Sequence, residues 1–361
     1  MGINEIIIYI MVIFAVLGAL DRMIGNRFGL GEKFEEGMKT IGVLAISMVG
    51  MISLAPVLAD LLQPVVAPVF QLLGADPAMF VGAILANDMG GAPLARELAL
   101  DPAVGDFSGL IVGAMLGATI VFTIPATLGI LDKKDYKYMA TGVLAGVITV
   151  PVGAVAGGLA AGYAVTMIWK NLVPIILFAL LIALGLWKCE SVMIKGFTYF
   201  GKFIVALITL GLITGIVEAL SGIVVIPGMA PVEEGFDAVA DIAMVLAGAF
   251  PMMHVLTMVL RKPLIKVGSL LGINETAAAG MVASLANSVP MFGMIKDMDD
   301  RGKVINMAFA TSAAFVFGDH LGFTAGFNPE MIVPMIVAKL AGGVSAVAVA
   351  LALLKKTQKK V

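Results

Sequence analysis

Apolar residues run along this chain in long blocks. Short polar links cut the blocks into segments of about twenty residues, the length a helix needs to cross a hydrocarbon core of ~30 Å. The pattern predicts spans near 5–24, 38–62, 107–131, 138–165, 172–188, 198–226, 242–260, 303–325 and 332–354. Several of these are longer than one crossing requires, which predicts tilt or breaks. No stretch is long enough or polar enough to form a separate soluble domain. Residues 1–361 are therefore expected to be one integral membrane transport domain, all-α and polytopic.

Two stretches between these spans resemble each other. The first reads LLG at Leu72 to Gly74 and then GAILANDMGG from Gly82 to Gly91. The second reads LLG at Leu270 to Gly272 and then GMVASLANSVPMFG from Gly280 to Gly293. Each is apolar, too short or too broken by Gly and Pro to be a regular span, and interrupted by Leu-Ala-Asn. Each is followed by a long hydrophobic helix. Paired broken segments in corresponding halves of a membrane chain point to a transporter's substrate site. The expected repeats cover approximately 38–165 and 242–354, linked by the spans near 172–226.

Composition fixes the class independently. Hydrophobic residues make up 60% of the chain and charged residues 13%, against roughly 25% charged in soluble domains, and the mean hydropathy is +1.05. A net charge of −2 with no basic stripe excludes a nucleic-acid partner. No positively charged n-region precedes the first span and no small-residue cleavage pattern follows it, so that span is expected to be retained. Cys189 stands alone, which excludes an intrachain disulfide.

Charge placement gives an expected orientation. Basic groups gather at Arg22 to Lys39, Lys133 to Lys137, Lys188 to Lys195, Arg261 to Lys266 and the tail from Lys355 to Lys360. The links at 60–77, 227–241 and 326–331 carry no Lys or Arg. By the positive-inside rule the first set is cytoplasmic and the second external, with the N-terminus outside and the C-terminus inside. The count closes only if the two Asn-bearing segments dip in and return, 78–95 from outside and 263–302 from inside. Irregular backbone at membrane depth is tolerated where protein or a wet cavity surrounds it, so the two dips are expected to meet near the midplane. A count of ten or eleven helices, with crossing broken helices in place of dips, stays open.

Within the spans, ionisable groups are costly and mark pathways or partners. Asp88, Glu218, Asp319, His254 and His320 are the deepest candidates, while Asp60, Asp241 and Glu330 are expected near interfaces. Gly90, Gly91, Pro93 and Pro290 are expected to break the backbone beside the polar groups, exposing N–H and C=O groups to a ligand. Asp319 and His320 either pair internally near the external end of their span or serve a ligand. The flanking Phe315, Phe317 and Phe323 favour the latter, with a small organic cation as the ligand. The glycine-rich run from Gly153 to Gly162 and the pair Gly342 and Gly343 fit close helix packing, and most of the 24 Met residues fit adaptable apolar packing.

The strings NDMGG (Asn87 to Gly91), FGDHLGFTAGF (Phe317 to Phe327) and PMIVAKLAGG (Pro334 to Gly343) resemble the ethanolamine permease family of bacterial ethanolamine-utilization operons, over most of the chain. The resemblance implies a multi-pass inner-membrane protein that passes ethanolamine to cytoplasmic enzymes. It brings no motif-level residue roles, so the site rests on the residues themselves. A primary ammonium asks for a carboxylate, which Asp88 or Asp319 supplies, and a hydroxyl asks for neutral partners, which Asn87, Asn287 and Ser288 supply. His320 completes the candidate set. No metal site and no cofactor is expected, and whether the chain forms a homo-oligomer is left open. An intramembrane enzyme is disfavoured: HExxH is missing, and Val316 stands where a GxGD motif needs glycine. The alternative reading is a sodium- or proton-coupled carrier of another small polar solute.

Overall fold

The computed structural model describes residues 2–358, without the side chains at 260–262, 264, 265, 267, 269 and 356–358. The basic groups Arg261, Lys262, Lys356, Lys359 and Lys360 thus lie outside the described residues. Every regular element among the described residues is helical.

The first helix, α1 (Ile3–Met23), leads through a short turn into α2 (Leu30–Leu44), which passes through a π-helical turn (Ala45–Val49) into α3 (Gly50–Leu72). A broken pair follows, α4 (Ala78–Ile84) and α5 (Ala92–Leu98), separated by the π turn Asn87–Gly91. The next pass combines α6 (Pro102–Asp106), a π-helix (Phe107–Gly117), a further π turn (Thr119–Thr123) and α7 (Ile124–Ile130). Then come α8 (Tyr136–Ala160), α9 (Val165–Lys188), α10 (Glu190–Ser221) and α11 (Val232–Leu271). A second broken pair, α12 (Glu275–Ala286) and α13 (Ser288–Met294), precedes α14 (Asp300–Ala313), α15 (Asp319–Phe327) and α16 (Ile332–Gln358). Among the described residues, eight helical passes are long and apolar enough to cross a membrane. The expected spans overlap these passes, which all start earlier; five of the passes also end sooner, as Lys133–Ala160 does against 138–165. The exception is 303–325, which is divided.

That division is a correction to the sequence reading, which expected one long helix there. After Ala313 the chain leaves the helix, and Phe315 takes a left-handed φ of 61°. The Phe315 N–H donates to Ser284 O at 2.9 Å and the Phe317 N–H to Leu285 O at 3.0 Å. The last carbonyls of a helix have no partner within it. The segment 314–318 lies across the end of α12 and satisfies two of them, at the expense of its own helix.

Both broken pairs are hairpins whose ends are tied by an aspartate. Asp76 accepts from Ala78 N–H at 2.8 Å as the first hairpin begins, and from Leu100 and Asp101 N–H at 2.9 and 3.0 Å as it ends. Asp299 accepts from Asn274 N–H at 2.8 Å and from Gly302 N–H at 3.2 Å, tying the start of the second hairpin to the start of α14. The polar anchors on the following pass also correspond. Ser108 Oγ donates to Ala78 O at 2.6 Å and faces Gly82; Asn306 Nδ2 donates to Ala277 O at 2.9 Å and faces Gly280. Gly82 and Gly280 stand equally far before Ser108 and Asn306.

The core is built around the 107–117 π-helix, in which every residue is buried. Helix α8 sits between α14 and α16 on a row of glycines: a Cβ on Gly146 would meet Thr311, and one on Gly153 would meet the Ala338 carbonyl. Small residues let backbones approach in this way where lipid provides no hydrophobic drive between helices. Lys303 and Asp135 close one end of this layer with a buried ion pair at 2.7 Å.

Candidate functional site

In the first hairpin, Leu85 and Ala86 are extended at the tip, and Gly90 adopts a φ of 84°, which L side chains rarely take. A Cβ on Gly91 would lie 2.4 Å from Ala86 O, so this tight return needs glycine there as well. Pro93 stands in the first turn of α5 and Pro290 in that of α13. Both therefore start a helix, where a missing N–H costs little, and do not break one as expected from sequence. The second break belongs to Asn287, whose extended backbone ends α12 and whose Oδ1 caps α13 through Val289 N–H at 2.9 Å.

These irregular segments converge on a cavity of about 400 Å³. Asp88 and Met89 line it from the first hairpin, Asn287 from the second, and Phe315, Asp319 and His320 from the divided pass. Phe122, Phe250 and, on α2, Glu36 and Thr40 complete the wall. The cavity shares Glu36, Phe250, Asn287 and Asp319 with a second one of about 340 Å³ that extends to Lys33, His254 and Thr257. A separate polar cluster joins α5, α6 and the end of α15. Arg96 pairs with Asp106 at 2.7 Å and lies 4.2 Å over the Phe327 ring, while Asn328 Nδ2 donates to Asp106 at 2.8 Å.

Of the residues singled out from sequence, Asp88, Asn287, Asp319 and His320 thus share one cavity. His320 Nε2 lies 3.9 Å from Asp88 Oδ1, and its ring leans against Phe315, which meets Phe122 edge-on. The internal pairing open to His320 is therefore with Asp88 of another element, and the divided pass puts Asp319 and His320 on the cavity wall, not at the external end of a span. Asn87 and Ser288 are fully buried behind the lining; neither polar atom of Asn87 nor Ser288 Oγ has a hydrogen-bond partner among the described residues. Glu218 is half-buried near the end of α10, away from the cavity, and His254 lines its extension. Among the described residues no group of His, Cys, Asp or Glu is arranged to hold a metal ion.

One buried ionisable group escaped the sequence reading. Lys339 on α16 is 1% exposed, and its Nζ donates to the Ala114 carbonyl of the π-helix on which the first hairpin packs. The signal was present as a lone Lys in an otherwise apolar stretch, within a string used only for its overall likeness.

The sequence matches the family described as "Ethanolamine utilisation protein, EutH" over residues 3–353. The chain belongs to the EutH family. It is 61% identical over 360 residues to a probable ethanolamine permease EutH of Listeria monocytogenes, covering 100% of this chain and 96% of that protein. It is 50% identical to the protein of the same name from Escherichia coli, with 99% and 97% covered. An uncharacterized protein, YxeR, of Bacillus subtilis is also 50% identical, with 97% and 95% covered. No solved structure matches the chain. EutH membership and the apolar passes together make this a multi-pass membrane protein, and the names of its EutH relatives describe permeases rather than enzymes.

Proposed function

We propose that this protein carries ethanolamine across the bacterial inner membrane into the cytoplasm by alternating access between two inverted repeats. The observation that carries the reading is the cavity where Asp88 and Asp319 face each other from different elements, with Asn287 beside them and aromatic rings along the wall. Carboxylates suit an ammonium, aromatic faces add to its attraction, and amide groups suit a hydroxyl. Asp88 is the anchor in this reading, because it lies deeper, while Asp319 also borders the extension toward Lys33. The matched anchors Ser108 and Asn306, with their glycines, support the repeats.

Purified protein in vesicles should take up labelled ethanolamine saturably. Propanolamine should compete better than choline, whose quaternary nitrogen has no N–H to donate. Uptake no greater than in protein-free vesicles would remove the reading. A strict requirement for sodium or a proton gradient would favour the coupled-carrier alternative.

Orientation has a built-in probe. Cys189 is free and exposed in the turn between α9 and α10, at the end of the molecule shared with Lys133, and Val225 is exposed at the other end. In intact cells an impermeant maleimide is expected to spare Cys189. It should label Val225→Cys in a Cys189→Ser background. The reverse pattern would place the N-terminus inside.

A further inference from the structure

Two lysines are buried among the described residues, and they are treated differently. Lys303 has Asp135 at 2.7 Å. Lys339, at 1% exposure, has only the Ala114 carbonyl and forms no ion pair among the described residues. The residue before Ala114, Gly113, packs on the first hairpin, a Cβ there lying 3.4 Å from Asn87 N, and Asp88 follows with His320 Nε2 of α15 at 3.9 Å from its Oδ1. Where α8, α14 and the π-helix pack against this part of α16 they present Gly153, Gly157, Ser312 and Met115, with no ionisable group among these described contacts. Asp319 and Glu36 lie further along the cavity wall.

A carrier whose site is a carboxylate has a difficulty when it is empty. To change access it must carry a bare charge through a low-dielectric closed state, and an uncompensated charge there costs several kcal/mol. Many such carriers then move only when loaded, or need a second ion for the return. The structure holds a third arrangement: a cation already in the protein, held by a carbonyl of the π-helix on which the Asp88 turn packs and not locked into a salt bridge among the described residues.

We propose that Lys339 is a built-in counter-cation for Asp88 that offsets this carboxylate in the unloaded site, so that the empty carrier can return and net transport needs no co-transported ion. The inference rests on the ethanolamine reading of the cavity. With substrate absent, Lys339 balances Asp88, while Asp319, on the open side next to the exposed Asn287, keeps its contact with water. With substrate bound, two cations face two carboxylates. Lys339 thus competes with the substrate for Asp88, lowering affinity in return for mobility of the empty site.

The test separates two fluxes in vesicles at mildly acidic pH, where passive leak of the neutral amine is small. Net uptake is measured into empty vesicles, and exchange into vesicles preloaded with unlabelled ethanolamine. Lys339→Met is expected to lose net uptake at least tenfold, to keep exchange within about threefold, and to lower the half-saturating concentration for exchange severalfold. Lys339→Gln, which keeps a polar group for the Ala114 carbonyl, should show the same split. A role confined to packing would not raise affinity or separate the fluxes. Equal loss or equal retention of both fluxes in both variants overturns the inference, as does a sodium or proton-gradient requirement for net uptake by the parent. A parent protein with neither flux overturns the ethanolamine reading itself.

Discussion

Asp88→Asn is expected to raise the ethanolamine concentration for half-maximal uptake between about thirty-fold and a few thousand-fold, with normal amounts of protein in the membrane. The range follows from the ~2–5 kcal/mol typically lost when one partner of a buried, hydrogen-bonded charge pair is removed. Asp88 is half-buried, opens into the cavity and makes no hydrogen bond that holds the hairpin together, so the amide should fit without disturbing the fold. Asp319→Asn should have a smaller effect, about tenfold, because Asp319 borders the extension and stays closer to water. Uptake kinetics over a wide substrate range check both. Normal kinetics for Asp88→Asn with loss in Asp319→Asn would move the ammonium to Asp319 and remove the reason for placing Lys339 opposite Asp88.

The hairpin tips were legible because their chemistry is local. Leu-Ala-Asn followed by two glycines or by Ser-Val-Pro interrupts an apolar run with groups that favour turns and caps, and the structure breaks both helices at those tripeptides. The cavity set was legible for the same reason: carboxylates and a histidine stand out against apolar sequence, and Asp88, Asp319 and His320 meet. The divided pass was not legible. Nothing in Ala313 to Phe317 disfavours a helix, and the break depends on carbonyls at Ser284 and Leu285, which only the fold brings into reach. Lys339 escaped for a different reason. Its charge is diluted by the apolar helix around it, and its burial becomes visible only once α16 is packed against the π-helix. The clasps at Asp76 and Asp299 were not legible either, because tying the two ends of a hairpin requires a closure that sequence spacing does not state.

The second large effect is expected from adding a single methyl group at the hairpin tips. Gly117 and Gly318 each face a tip carbonyl. A Cβ on Gly117 would lie 1.9 Å from Leu85 O, and one on Gly318 2.0 Å from Ala286 O. Both obstacles are backbone, so no side chain can swing aside, and overpacking of this kind costs about 1–3 kcal/mol or more. Displacing either carbonyl moves the neighbouring polar group as well, Asn87 and Asp88 at one tip and Asn287 at the other. Gly117→Ala and Gly318→Ala should therefore abolish ethanolamine uptake and lower the unfolding temperature of the purified protein by several degrees. Gly42 and Gly293 offer internal controls, since a Cβ at either meets nothing within 4 Å. Their alanine variants should transport like the parent, and Gly42→Ala, inside α2, should be slightly more stable. A parent-like uptake rate in Gly318→Ala would show that the tip of the second hairpin does not form part of the transport site, leaving Asp88 and the first hairpin to carry it alone.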